Sequence, residues 1–498
     1  MKRLTLSLLI LLLTPLALAT TEDATEGRAS GEKYLADGES PVFSAAFREN
    51  IGYRVDNHMI TGIVVGVVTP RGTSFFCCGV GSLEGREPVD ENTVFEIGSN
   101  TKTFTGVLLA DAVLNGGLSL DDPLQTLLPE GITAPTRNGQ TINLVHLANH
   151  TSGLPRMPDG FVRIDPDNPY AAYTAEQAYE ALDGYELPRD VGSEFVYSNY
   201  GMGLLGSVLA DRHAMTYEAL MTRKIADPLG MNSTRLAFTP GMEMRLAKGH
   251  HFGIEVGNWD FQAIAGAGAI RSTAVDMLKY LAGNLGLMES ELLPALELSH
   301  ENTGATFHDL TVGLGWLKMP YEGGDIIWHD GGTGGYMSFM GFNRETRMGV
   351  VVLTNSQSFP DDIGFHLLNP DMELARPVPS IATALNRIVE SDGLEAAVEA
   401  YADLKNDHAD DYDFSESELN ELGYLYLHRG RMAEALAVFK INVEAFPDSW
   451  AVHDSYGEAL LKNEQTEKAI EHYGKSVELN PENSAGIEIL RKYGSDNP

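Results

Sequence analysis

Strand-like segments cluster near the two ends of the stretch 41–370 and leave a helical, loop-rich middle between them. Early on, 62–68 and 74–80 are β-branched and apolar, and the Thr-Pro-Arg-Gly that joins them is a turn signal. Late in the stretch, 325–328, 337–342 and 348–353 read as three more strands. The region from 120 to 300 mixes helices with loops rich in Pro and Gly. A sheet built from both clusters has to close early chain against late chain, and the middle becomes an inserted α-subdomain. The first long helix starts near Ser99, runs to Leu114 and stops at Asn-Gly-Gly, a C-terminal cap.

With 498 residues the chain exceeds one ordinary domain. Its acidic residues number 70 against 35 basic, a formal net charge of −35. Nucleic acid and anionic membranes both need basic surface, so neither is expected as a partner. The acidity itself is read as solubility in a salty habitat. Lys2 and Arg3, an apolar run through Leu13 and Ala17-Leu-Ala19 make 1–19 a secretory signal. Its apolar part is shorter than the roughly 20 residues that span a bilayer. No stable membrane insertion is therefore expected, and the expected location is periplasmic or secreted. Residues 20–40 are polar and acidic, a disordered lead-in. The two cysteines, Cys77 and Cys78, are adjacent in a strand, where small buried hydrophobes are expected rather than a disulfide.

Texture changes around Arg376-Pro-Val-Pro379, and 371–389 reads as a linker. The remainder, 390–498, is helical and holds 24 acidic and 9 basic residues. Gly423, Ala435, Phe439 and Pro447 recur as Gly457, Ala469, Tyr473 and Pro481, 34 residues later each time. This period and these residue types resemble the tetratricopeptide (TPR) repeat, in which small residues let paired helices pack closely. A TPR-like tail implies either a groove for a protein partner or a helical cap on the preceding domain.

Three motifs carry the chemistry. Ser99-Asn-Thr-Lys102 sits where a loop enters the first long helix, so the serine and the lysine project from one helical face. A buried amine with a depressed pKa can take the proton of a serine hydroxyl. Tyr197-Ser-Asn199 offers a phenol whose pKa a neighbouring ammonium would lower, and an amide to orient Lys102 and a substrate carbonyl. His329-Asp-Gly331 ends a strand and runs into Gly332, whose N–H would join that of Ser99 as an oxyanion donor. No metal-binding pattern occurs in the sequence, and neither metal nor cofactor is expected.

Taken together, these motifs resemble the serine β-lactamase and penicillin-binding-protein superfamily, whose S-x-x-K signature marks acyl transfer. Tyr-Ser-Asn is similar to the class C branch, with its D-aminopeptidase, carboxypeptidase and esterase relatives. Leu118–Pro123, His150-Thr-Ser-Gly-Leu-Pro155, Asp227-Pro-Leu-Gly-Met231, Ala265–Gly268 and Gly313-Leu-Gly-Trp316 extend the likeness over 41–370. The resemblance implies an α/β fold: a mainly antiparallel sheet flanked by helices, plus an all-α subdomain. It makes Ser99 the acylated nucleophile and Lys102 with Tyr197 the proton carriers. Asn199, His329 and Gly331 become substrate-binding groups, and Ser99 with Gly332 the oxyanion hole. One departure stands out, since such enzymes usually carry Lys where this chain has His329. With an unperturbed pKa of about 6.5, a histidine is mostly neutral at pH 7 and binds a substrate carboxylate only weakly.

The expected function is thus an exported serine hydrolase acting on an ester, an amide or a D-amino-acid peptide. The alternatives are a class C-type β-lactamase or D,D-carboxypeptidase, and a non-catalytic sensor of peptidoglycan fragments whose tail recruits a partner.

Overall fold

The computed structural model describes residues 42–158 and 160–494. The signal segment 1–19 and the lead-in 20–40 lie outside the described residues.

The strand pattern places the sheet where the sequence put it. Its order is Gly72–Gly79, Gly62–Thr69, Met348–Thr354, Met337–Asn343, Ile326–Gly332, Leu317–Met319, Leu310–Val312, Thr306–Phe307. Adjacent strands run antiparallel throughout. Early chain closes on late chain through Gly62–Thr69, whose Ile63 faces Thr354 and whose Val68 faces Gly349. Side chains alternate between two buried faces. Val64, Val68, Met340, Val351 and Leu353 join the larger core beneath the helical middle. Ile63, Val65, Val67, Val350 and Val352 join a second core on the other face. Cys77 and Cys78 divide between these two cores, as neighbours in a strand must.

Helix Ala45–Asp56 covers the second face with Phe47 and Ile51, and helix Asp361–Leu368 adds Ile363 and Leu368. Arg54, only 1% exposed, ties these helices together through Asp362 and donates to Ala375 O at 2.7 Å. The helix expected from Ser99 begins with a tight turn, Gly98–Asn100, and continues as Thr101–Asn115 with Gly116 at its C-terminal cap. It is buried almost all round and forms the axis of the larger core.

Beyond the sheet comes a run of helices. Helix Ile381–Asp392 begins inside 371–389, so only the first part of that stretch connects; Ile381, Ala382 and Leu385 belong to the tail's own core. The pair Glu416–His428 and Met432–Ala445 is followed by Trp450–Lys462 and Thr466–Leu479. A Cβ on Gly423 would lie 2.6 Å from the Phe439 ring, and one on Gly457 would lie 3.1 Å from Tyr473. The 34-residue spacing therefore repeats one helix-on-helix contact. Among the described residues no helix is long and apolar enough to cross a membrane.

The tail does not hang free. A hairpin of the catalytic region, Gly249–His251 with Ile254–Val256, pushes Phe252 and Ile254 against the tail's core. Asn386 Nδ2 donates to Phe252 O at 3.1 Å, and Arg429 lies 3.5 Å from Asp167. A chain ending at Pro379 exposes both apolar side chains, a loss of about 2 kcal/mol or more. We expect its catalytic region to melt roughly 4 °C or more below the full chain, read by calorimetry. Equal melting temperatures would show that the docking contributes nothing.

Candidate active site

The turn Gly98–Asn100 presents Ser99 partly exposed at the start of the buried helix. Gly98 has φ +49°, and a Cβ there would lie 2.6 Å from Gly332 N. A Cβ on Gly331 would lie 2.1 Å from Ile97 O and 2.9 Å from Ser99 N. Glycine at both places lets the end of strand Ile326–Gly332 lie directly on the serine turn. The backbone nitrogens of Ser99 and Gly332 are thereby brought to one place.

Lys102, one turn on, is fully buried. Its Nζ lies 2.9 Å from Ser99 Oγ and donates to Ala267 O at 2.6 Å. Burial, reinforced by Arg156, holds the amine well below the ordinary lysine range; Asp330 opposes this. Tyr197 lies across the cleft, its ring centre 4.9 Å from Lys102 Nζ, and its hydroxyl hydrogen-bonds to Ser99. Here the sequence expectation is corrected. Desolvation raises the Tyr197 phenol, outweighing the Ser99 hydrogen bond that lowers it.

Asn199 opens helix Asn199–Arg212, and Ser198 caps it by accepting from Gly201 N at 2.8 Å. Asn199 Oδ1 is buried without a hydrogen-bond partner. The expected role of orienting Lys102 falls instead to Ala267 O. His329 is 3% exposed, 3.7 Å from the Asp330 carboxylate, with its ring 6.4 Å from that of Tyr197. Burial lowers its pKa from 6.5, Asp330 opposes this and Lys102 adds to it. Any weak grip on a carboxylate through protonated His329 therefore needs a pH lower than its unperturbed pKa implies. The residue supplies no charge at neutral pH.

Sequence reasoning named His150 only as part of a family-like segment. It stacks on Tyr197 at 4.6 Å between ring centres and accepts from Ser198 N at 3.1 Å through Nδ1. That bond fixes the proton on Nε2, which is buried and unpartnered. Burial, then Lys102, hold the ring well below 6.5, so it stays neutral. Its left-handed backbone, φ +63°, aims it at Tyr197. A non-glycine residue so constrained leaves no mark in hydrophobic periodicity. Among the described residues no cluster of metal-ligating side chains occurs.

This arrangement offers a hydroxyl nucleophile, a buried amine of depressed pKa to take its proton, a neutral phenol and two adjacent backbone donors. A site that works through the neutral amine gains activity as pH rises through the Lys102 pKa. We expect kcat/KM to reach its plateau well below pH 10.5. A limb near that value in a pH–rate profile would show Lys102 to be an ordinary ammonium. Lys102→Arg, permanently charged, should lose about 10²-fold or more.

The family described as Beta-lactamase matches residues 47–367. A protein named Beta-lactamase from Escherichia coli (strain K12) is 28% identical over 353 residues, covering 63% of this chain and 90% of its own. The D-alanyl-D-alanine-carboxypeptidase/endopeptidase AmpH of the same strain is 30% identical over 336 residues, covering 64% and 86%. A solved class C beta lactamase from Rhodobacter sphaeroides superposes with TM-score 0.56 at 26% identity, over 64% of this chain and 94% of that one. A Beta-Lactamase/D-Alanine Carboxypeptidase from Pseudomonas syringae shares the fold at 22% identity, with TM-score 0.57 over 64% and 97%.

Proposed function

Since the chain belongs to the Beta-lactamase family, we propose that it is an exported serine hydrolase that turns over its substrate through an acyl-enzyme on Ser99. The observation that carries this reading is the 2.9 Å approach of the buried Lys102 amine, its pKa held well below the ordinary lysine range, to the Ser99 hydroxyl. Lys102 takes the hydroxyl proton while Oγ attacks the substrate carbonyl. The oxyanion so formed is met by the N–H groups of Ser99 and Gly332. The proton passes from the new ammonium, by way of Tyr197, to the leaving group, and a water molecule then releases the acid. His150 holds the Tyr197 ring in place during these steps.

The substrate class is an ester, an amide or a D-amino-acid peptide. The relatives' names add a β-lactam and a D-alanyl-D-alanine peptide as the first amides to try. A retired enzyme acting as a sensor has no need to keep Ser99, Lys102 and Tyr197 in mutual contact, which weighs against the non-catalytic alternative. For the tail we propose TPR-like repeats that dock on the hydrolase and leave their remaining surface to a protein partner. The signal-like start supports a periplasmic or secreted location.

A fluorophosphonate probe tests the central step. It should label the wild-type chain, with mass spectrometry locating the adduct on Ser99. Ser99→Ala should abolish labelling and lower turnover by about 10³-fold or more. Labelling of that variant at the normal rate would remove Ser99 as the nucleophile.

A further inference from the structure

Arg156 directly follows the His150–Pro155 segment and is exposed. Its guanidinium carbon sits 5.2 Å from the centre of the Tyr197 ring, the same ring that lies 4.9 Å from Lys102 Nζ. The backbone that carries it is tied down. Tyr200 N donates to Arg156 O at 3.1 Å, Ser198 Oγ donates to Pro155 O at 2.6 Å, and Leu154 N donates to Ser152 Oγ at 3.3 Å. Two of those bonds come from residues beside Tyr197, so the arginine and the catalytic tyrosine are held by one piece of structure.

Acids outnumber bases two to one, 70 to 35, and ion-pair partners are plentiful. Among the described residues Arg137, Arg189, Arg235 and Arg431, for example, sit against the carboxylates of Asp190, Glu194, Asp227 and Glu390. Among the described residues no carboxylate lies within ion-pair distance of Arg156. A charge of the opposite sign acts on the same Lys102 and Tyr197. Asp330, its side chain 34% exposed, stands beside the uncharged His329 on the strand wall.

We propose that Arg156 is the anion anchor of this site and that the substrate carries a carboxylate. The guanidinium fork holds that carboxylate on the Tyr197 side, and Asp330 repels it from the strand side. The absence of a cation at residue 329 then marks a relocated carboxylate site rather than a missing one. This inference rests on the acyl-transfer reading of Ser99 and names the substrate class for it.

The carboxylate can belong to the acyl part or to the leaving group, and two matched ester pairs separate these. One pair is the p-nitrophenyl half-ester of glutaric acid against p-nitrophenyl valerate. The other is 3-carboxyphenyl acetate against 3-carbamoylphenyl acetate. For at least one pair, wild type should favour the charged member, and Arg156→Gln should lower the charged-to-neutral ratio of kcat/KM about tenfold or more, chiefly through KM. Arg156→Lys should keep part of the ratio, because a point charge lacks the fork. Asp330→Asn should raise it. A ratio in both pairs that ignores residue 156 overturns the anchor. So does a loss that falls equally on charged and neutral esters. Turnover of neutral esters with no preference for charge sinks this inference alone. No turnover of any ester together with no labelling of Ser99 sinks the acyl-transfer reading, and the anchor with it.

Discussion

Everything at the site depends on the pairing of Gly62–Thr69 with Met348–Thr354. That contact closes the sheet between segments far apart in sequence and fixes where Met337–Asn343 and then Ile326–Gly332 must lie. The end of the latter strand rests on the serine turn through Gly331 and Gly98, so backbone register sets how the Ser99 and Gly332 nitrogens lie relative to one another. Hydrophobic burial on both sheet faces secures the register. A slip of one residue would exchange Val64 for Val65 and turn each core inside out.

Chemistry then follows from desolvation more than from charge pairing. Lys102 is enclosed with a carbonyl and a hydroxyl as its polar partners, which disfavours the ammonium. The same exclusion of water keeps Tyr197 a phenol and keeps His150 and His329 uncharged. Burial thus pushes all four groups toward their neutral forms, which cost less to enclose than four packed charges would. Formal charge is left to the cleft's outer walls, at Arg156 and Asp330.

Much of this was legible in the sequence. Five of the eight sheet strands appeared as β-branched runs, with ends displaced by no more than a few residues, while the short Thr306–Phe307, Leu310–Val312 and Leu317–Met319 did not. Ser99, Lys102 and Tyr197, singled out by their motifs, lie together in space. Three further things were hidden. The pKa direction of Tyr197 is set first by its burial, which no motif displays. His150 stacks on the Tyr197 ring and the Arg156 guanidinium lies over it, contacts between sequence-distant loops that no periodicity or spacing betrays. A helix lies inside the stretch read as a linker, because the Pro-rich 376–379 masks the cap that follows it, where Ser380 accepts from Thr383 N.

The docking of the tail gives that last point a mechanical sense. Hairpin Gly249–Val256 is gripped from two sides. On one side Phe252 and Ile254 enter the tail's core. On the other, His250 N donates to Gly335 O at 3.2 Å, and the Tyr336 hydroxyl donates to Ala247 O at 2.6 Å. Gly335 and Tyr336 form the turn that follows Gly332, so one hairpin joins the tail's core to the strand end that lies on the serine turn. Asn258, just past the hairpin, bridges Tyr336 to the buried Glu96, which pairs with Arg271 at 3.2 Å. A displacement of the tail cannot be absorbed within the hairpin, because both its faces are packed. It has to reach the Gly332–Tyr336 turn, and this makes the helical run a structural wall of the active site's surroundings rather than an appendage.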